Sequence, residues 1–193
     1  MNDREKTKLL TKIGFLYLEK MGCHEISTEI VVHLVGKNTI TPNDGNHYII
    51  DILGLEWEYL PPLPDDKYKT NKKEISRGIE IKVSRVDFKN GFVHHGCNFN
   101  YILVPKGLIQ PDEVHTDVGI IELDIETFSI GLEKLPFRGY FLNGINLIRK
   151  PKRKECPDWL LDSIRSQIPE TLTNQVKRWI KEEFLSQKHN QNL

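Results

Sequence analysis

Residues 78–83 read Gly-Ile-Glu-Ile-Lys-Val, an alternation of β-branched apolar side chains with charges. That period belongs to a strand, so Ile79, Ile81 and Val83 share one face while Glu80 and Lys82 share the other. A strand of this kind needs neighbours, and the flanking sequence supplies them. HEISTEIVVHLV and HYIIDILGLEW precede it, separated by the turn-forming cluster GKNTITPNDGN, and FNYILVP, VGIIELD and a last run near INLIRK follow. EYLPPLPDDKYKTNKKE is too rich in proline and charge for a sheet interior and is expected as an exposed loop before RGIEIKVS.

Helical periodicity brackets these strands. Leu9, Ile13, Leu16 and Lys20 form one stripe, with Leu10 and Tyr17 beside it and Gly22 where a C-cap belongs, which predicts a helix over residues 3–21. Ser84 with Asp87 three residues on predicts a short capped helix directly after the central strand. Beyond Pro151, Leu160, Ile164 and Ile168 recur four apart, and Leu172, Val176, Trp179, Ile180 and Phe184 make a second face. Trp159 and Trp179 are expected in those stripes. The two helices either return to the sheet or form a homodimer contact. Residues 127–148 mix glycine and proline with apolar residues and show no clear period.

The expected architecture is α/β, a central mixed sheet over residues 1–150 with helix one on one face and the Ser84 helix on the other, and a helical C-terminal extension over 151–193. A chain of 193 residues supports one core of this kind. No apolar run reaches membrane-spanning length and the first residues are polar, so a cytoplasmic protein without a membrane partner is expected. Cys23, Cys97 and Cys156 have no paired spacing, and His94, His95 and Cys97 match no zinc module, so reduced thiols and loop residues are expected.

Taken alone, Glu80 and Lys82 fit a solvated ion pair on a half-exposed strand. Asp51 alters that reading. It is the one charge in an apolar run, on the face of Ile49 and Leu53, where a carboxylate is costly to hold. If its strand adjoins the Glu80 strand, Asp51 and Glu80 converge on one hard cation, Mg²⁺ or Mn²⁺, with Lys82 beside them to act on an attacking water and on charge at phosphorus. Net charge is zero, yet KYKTNKK (67–73) and RKPKRK (149–154) are local basic clusters. They mark Lys67, Lys69, Lys72, Lys73, Lys152 and Arg153 either as contacts to a nucleic-acid backbone or as ordinary solvated surface. Arg85, at a helix start, either binds phosphate or pairs with Asp87.

Asp51 on one strand and Glu80-Ile81-Lys82 on the next, after an α-β-β start, resemble the PD-(D/E)XK nuclease superfamily. The continuation VSRVDF, and VPKGL further on, is similar to the MmcB-type DNA repair branch of that superfamily, over about residues 24–125. Ile50 stands where many members have proline, and Glu19 lies towards the end of helix one rather than at mid-helix. The resemblance implies a restriction-endonuclease-like fold, with Asp51 and Glu80 as metal ligands, the Ile81 carbonyl as a further ligand and Lys82 as the catalytic lysine. It also matches Glu29 to an acidic residue on the first strand. The function it implies is metal-dependent nuclease action on DNA, in repair, recombination or phage DNA processing. A repair-accessory module that binds nucleic acid without turnover, and an assembly protein in which Glu80 and Lys82 merely pair on the surface, are the two other expectations.

Overall fold

The computed structural model describes residues 1–33, 47–61, 70–91, 96–132, 140–168 and 177–178. In chain order the elements are α1 (Asp3–Lys20), β1 (Glu25–His33), β2 (His47–Tyr59), β3 (Lys72–Ile81), α2 (Arg85–Lys89), β4 (Phe99–Pro105), β5 (Gly119–Leu123), β6 (Ser129–Leu132), β7 (Tyr140–Asn143), β8 (Ile145–Arg149) and α3 (Asp158–Gln167). Six strands form one sheet in the order β1-β2-β3-β4-β5-β8, and β6 and β7 pair separately. β2 runs antiparallel to both β1 and β3, while β3, β4 and β5 run parallel, and β8 returns antiparallel on β5. The chain is thus α/β, with a mixed sheet flanked by helices.

α1 begins at a reciprocal cap in which Asn2 Oδ1 accepts from Glu5 N and Glu5 Oε2 accepts from Asn2 N, both at 2.9 Å. It ends at Gly22, whose φ of 99° suits a residue without Cβ. The helix lies close on the sheet at Gly14, where an added Cβ would stand 2.4 Å from Ile52 Cδ1. Leu10, Ile13, Phe15, Leu16 and Leu18 are all buried, which is more than one stripe. The β6–β7 pair, within the stretch whose sequence has no period, contributes to that burial. Ile130, Phe128 and Leu142 join the α1 core, and Tyr140 Oη donates to Leu16 O at 3.1 Å and Glu19 Oε2 at 2.6 Å.

The opposite face carries α2 and α3, as the alternation of β2 and β4 requires. Ile52, Tyr101 and Leu103 face α1, while Leu53 and Leu55 meet α3, and Ile102 and Val104 form a third cluster that Phe88 of α2 joins. Leu160, Leu161, Ile164 and Ile168 turn to the sheet, so α3 takes the first of its two expected arrangements. The second C-terminal helical face lies outside the described residues, apart from 177–178. Trp159 is 47% exposed and not in the stripe, because one residue's step of about 100° from Leu160 turns it to solvent.

Two further expectations change. β3 starts at Lys72, since Tyr59↔Lys72 and Trp57↔Glu74 extend the β2–β3 ladder into the expected loop. Residues 149–154 form a strap across the N-terminal ends of β4 and β5: Lys152 N donates to Asp117 O and Lys154 N to Asn98 O, both at 2.9 Å. Arg149 anchors it by donating to the carbonyls of Pro111, Val114, His115 and Val118. The three cysteines are free thiols, all buried. Among the described residues no helix is long and apolar enough to cross a membrane.

Candidate active site

Asp51 sits where the sheet's ladders part. Pairing of β2 with β3 ends at Ile52↔Ile79, one step before Asp51 would face Glu80. On the other side Thr28↔Ile52 and Ile30↔Ile50 are paired but Glu29 and Asp51 between them are not, and Glu29 has a left-handed φ of 57°. β3 meanwhile stays with β4 through Glu80↔Ile102 and Ile81↔Leu103, and Lys82 N donates to Leu103 O at 3.1 Å. The Ile81 N–H, released from β2, donates to Asp51 Oδ2 at 2.7 Å. N–H and C=O of one strand residue leave by the same edge, so the Ile81 carbonyl lies on the Asp51 side.

The apolar half of the alternation holds the charged half in position. Ile79, Ile81 and Val83 enter the α1 core, which turns Glu80 and Lys82 to the other face. There both are buried, Glu80 at 6% and Lys82 at 9% exposure, and a solvated surface pair is not what forms. Lys82 Nζ lies 3.0 Å from Glu80 Oε1 and 3.6 Å from Asp87 Oδ1. Ser84 caps α2 by accepting from Asp87 N at 3.2 Å. The reciprocal arm lands one residue early, with Val83 N donating to Asp87 Oδ2 at 3.0 Å.

Asp51, Glu80 and the Ile81 carbonyl offer hard oxygen donors, and Mg²⁺ characteristically takes one or two carboxylates and leaves its other positions to water and phosphate oxygens. Among the described residues no three His, Cys, Asp or Glu side chains converge on one cation position. Glu29 shares a register row with Asp51 and Glu80 but is exposed and completes no such trio. The chemistry of these oxygens suits a hard cation, and among the described residues no third carboxylate completes a cation cluster with Asp51 and Glu80.

Arg85, Arg153, Lys152 and Lys72 are already engaged. Arg85 pairs with Glu113 and not with Asp87, donating to both carboxylate oxygens at 2.7 and 2.6 Å and to Leu108 O at 3.1 Å, because Asp87 is turned towards Val83 and Lys82. The Arg85 guanidinium, with help from the Gln110 N–H, pulls the Glu113 carboxyl down to about 2. Arg153 forms a bidentate pair with Glu58, at 2.5 and 2.6 Å, and Lys152 and Lys154 share Asp117. Lys72 stands 3.9 Å over the Trp57 ring. Lys73 is exposed and, with Arg153, Lys154 and Asn98, lines a groove of 560 Å³. That groove is at the start of β3, nine residues and about 30 Å from Lys82 at its end, so the structure does not bring the two together. Lys67, Lys69, His94 and His95 lie outside the described residues.

Asp87, expected as a capping residue, is also the second acid beside Lys82. Its signal in the sequence is its position in the first turn of a helix that starts three residues after Lys82.

No protein-family model and no curated protein matches the chain. A solved structure, the SPO1766 protein of unknown function from Silicibacter pomeroyi, is similar to it at 16% identity and a TM-score of 0.36, over 74% of each chain. A likeness of that degree carries no argument about function.

Proposed function

We propose that this chain is a cytoplasmic, divalent-cation-dependent nuclease that hydrolyses phosphodiester bonds of DNA, built on the restriction-endonuclease-like fold of the PD-(D/E)XK superfamily and related to its MmcB-type repair branch. The observation that carries the reading is the Asp51 carboxylate on the Ile81 backbone, at the point where β2 and β3 part, beside the buried Glu80 and Lys82. Asp51, Glu80 and the Ile81 carbonyl hold Mg²⁺ or Mn²⁺. When bound, the cation polarises a phosphoryl oxygen and acidifies water. Lys82 orients the attacking water and offsets negative charge that grows on the phosphoryl oxygens. Burial strengthens that electrostatic contribution, since Lys82 works from a low-dielectric position. Lys73 at the other end of β3 contacts a longer stretch of DNA backbone, roughly a helical turn away.

Cleavage of plasmid and oligonucleotide DNA with each cation is the test. Wild type should show activity well above that of Asp51→Ala, and equal background from the two proteins would remove the enzyme. A second reading, a repair-accessory module that binds nucleic acid without turnover, is favoured by the 3.0 Å contact that already satisfies Lys82 on Glu80. Salt-sensitive DNA binding with no Mn²⁺ binding would select it.

A further inference from the structure

The two oxygens of Asp87 have different partners. Oδ2 accepts from Val83 N at 3.0 Å and helps fix the first turn of α2. Oδ1 stands 3.6 Å from Lys82 Nζ, an ion-pair distance too long for a good hydrogen bond. Lys82 sits nearer the other acid, at 3.0 Å from Glu80 Oε1. One ammonium thus stands between two carboxylates, closer to the one assigned above to the cation.

A divalent cation on Glu80 and an ammonium on the same carboxylate repel each other. The Lys82 side chain is 11% exposed, so leaving Glu80 without another anion to meet would strand a buried charge. Asp87 Oδ1 supplies that anion. Its side chain is 38% exposed and α2 buries no residue, so a small approach towards Lys82 meets little packing resistance. We propose that Asp87 is a positioning residue that takes over the Lys82 ammonium when Glu80 binds a divalent cation, and so raises the cation affinity of the site through Lys82. The proposal rests on the cation-site reading given above.

Calorimetric titration with Mn²⁺ alone, on proteins whose folding is checked by circular dichroism, tests it without any cleavage assay. Asp87→Asn keeps an acceptor for the Val83 N–H but loses the charge, and should weaken Mn²⁺ binding about fivefold, the scale of a partly exposed ion pair. Asp87→Ser serves as a second charge-free variant should the first fail to fold, and Asp87→Glu should restore most of the affinity. In a Lys82→Met background, Asp87→Asn should change nothing, because no ammonium remains to be held. A cap with a structural role alone would instead give the same loss in both backgrounds, and would give it again in Ser84→Ala. Equal affinities for wild type and Asp87→Asn, or a loss that persists without Lys82, overturn the proposal and leave the cation site standing. No Mn²⁺ binding by wild type overturns the cation site and this proposal together.

Discussion

Glu74 and Glu80 occupy the same face of β3, six residues apart, and are buried to nearly the same degree, at 7% and 6% exposure. Each meets a cation, but from different directions. Glu74 lies within the closed ladder, opposite Trp57, and receives Arg165 from α3, with Nη2 and Nε at 2.5 and 3.2 Å. His24 approaches its other oxygen at 3.4 Å while stacked on Trp57 with ring centroids 5.0 Å apart. Glu80 lies past the end of that ladder, and its cation, Lys82, comes from two residues along the same chain segment. A partner 91 residues away ties α3 to the sheet, whereas a partner two residues away ties no elements together. Equal burial therefore serves different ends: Glu74 holds elements together, and Glu80 keeps a charge in place where the backbone is open.

The largest test of that contrast is activity. Glu80→Gln should lower DNA cleavage by about 100-fold or more, the scale of removing one preorganised electrostatic group. Its unfolding midpoint should stay within about 3 °C of wild type, as the Lys82 pair joins no two elements and Asp87 remains beside the ammonium. Glu74→Gln should do the reverse. Cleavage should stay within about twofold, while stability falls by about 2 kcal/mol, the scale of hydrogen bonds to a charged group, with Arg165 left half in solvent and not stranded. That corresponds to a midpoint lower by about 4–8 °C in a domain of this size. Comparable losses of stability from both substitutions would erase the distinction.

The distinction was only partly legible in the sequence. Period-two alternation is enough to set Glu80 and Lys82 on one face, since Ile79, Ile81 and Val83 demand the α1 side. The lone Asp51 in an apolar run pointed to a partner, but that its partner is β3 depends on the Ile52↔Ile79 register, a long-range pairing. Glu74 gave no signal at all. It was expected in a loop, and the arginine that marks it stands 91 residues further on. The same limit hid the hairpin over α1, because β6 and β7 are four residues each, too short to show a period, and Tyr140 reaches back 124 residues to Leu16. Local periodicity reports which face a residue takes, and it is silent on what arrives from elsewhere to cover that face.

Glu113 separates tethering from burial, and it carries the smallest expected effect. Like Glu74 it joins two segments, through Arg85 28 residues earlier, but the Arg85 and Glu113 side chains are 45% and 31% exposed. Its carboxyl is pulled from the ordinary 4.5 down to about 2, by Arg85 first and then by the Gln110 N–H. A depressed folded-state value means that the folded form binds this proton less readily than the unfolded form. The contribution is therefore complete above about 4.5 and fades as pH falls towards about 2. The difference in unfolding midpoint between wild type and Arg85→Ala should accordingly be small but measurable near pH 6, shrink below pH 4.5, and vanish near pH 2. It should also shrink on raising salt from about 0.1 to 1 M, where screening acts over roughly 3 Å rather than 10 Å. Glu74→Gln, with its carboxylate buried, should keep its effect in the same salt series. If both differences collapse together in salt, it is exposure of the arginine and not burial of the acid that sets the strength of such a tie.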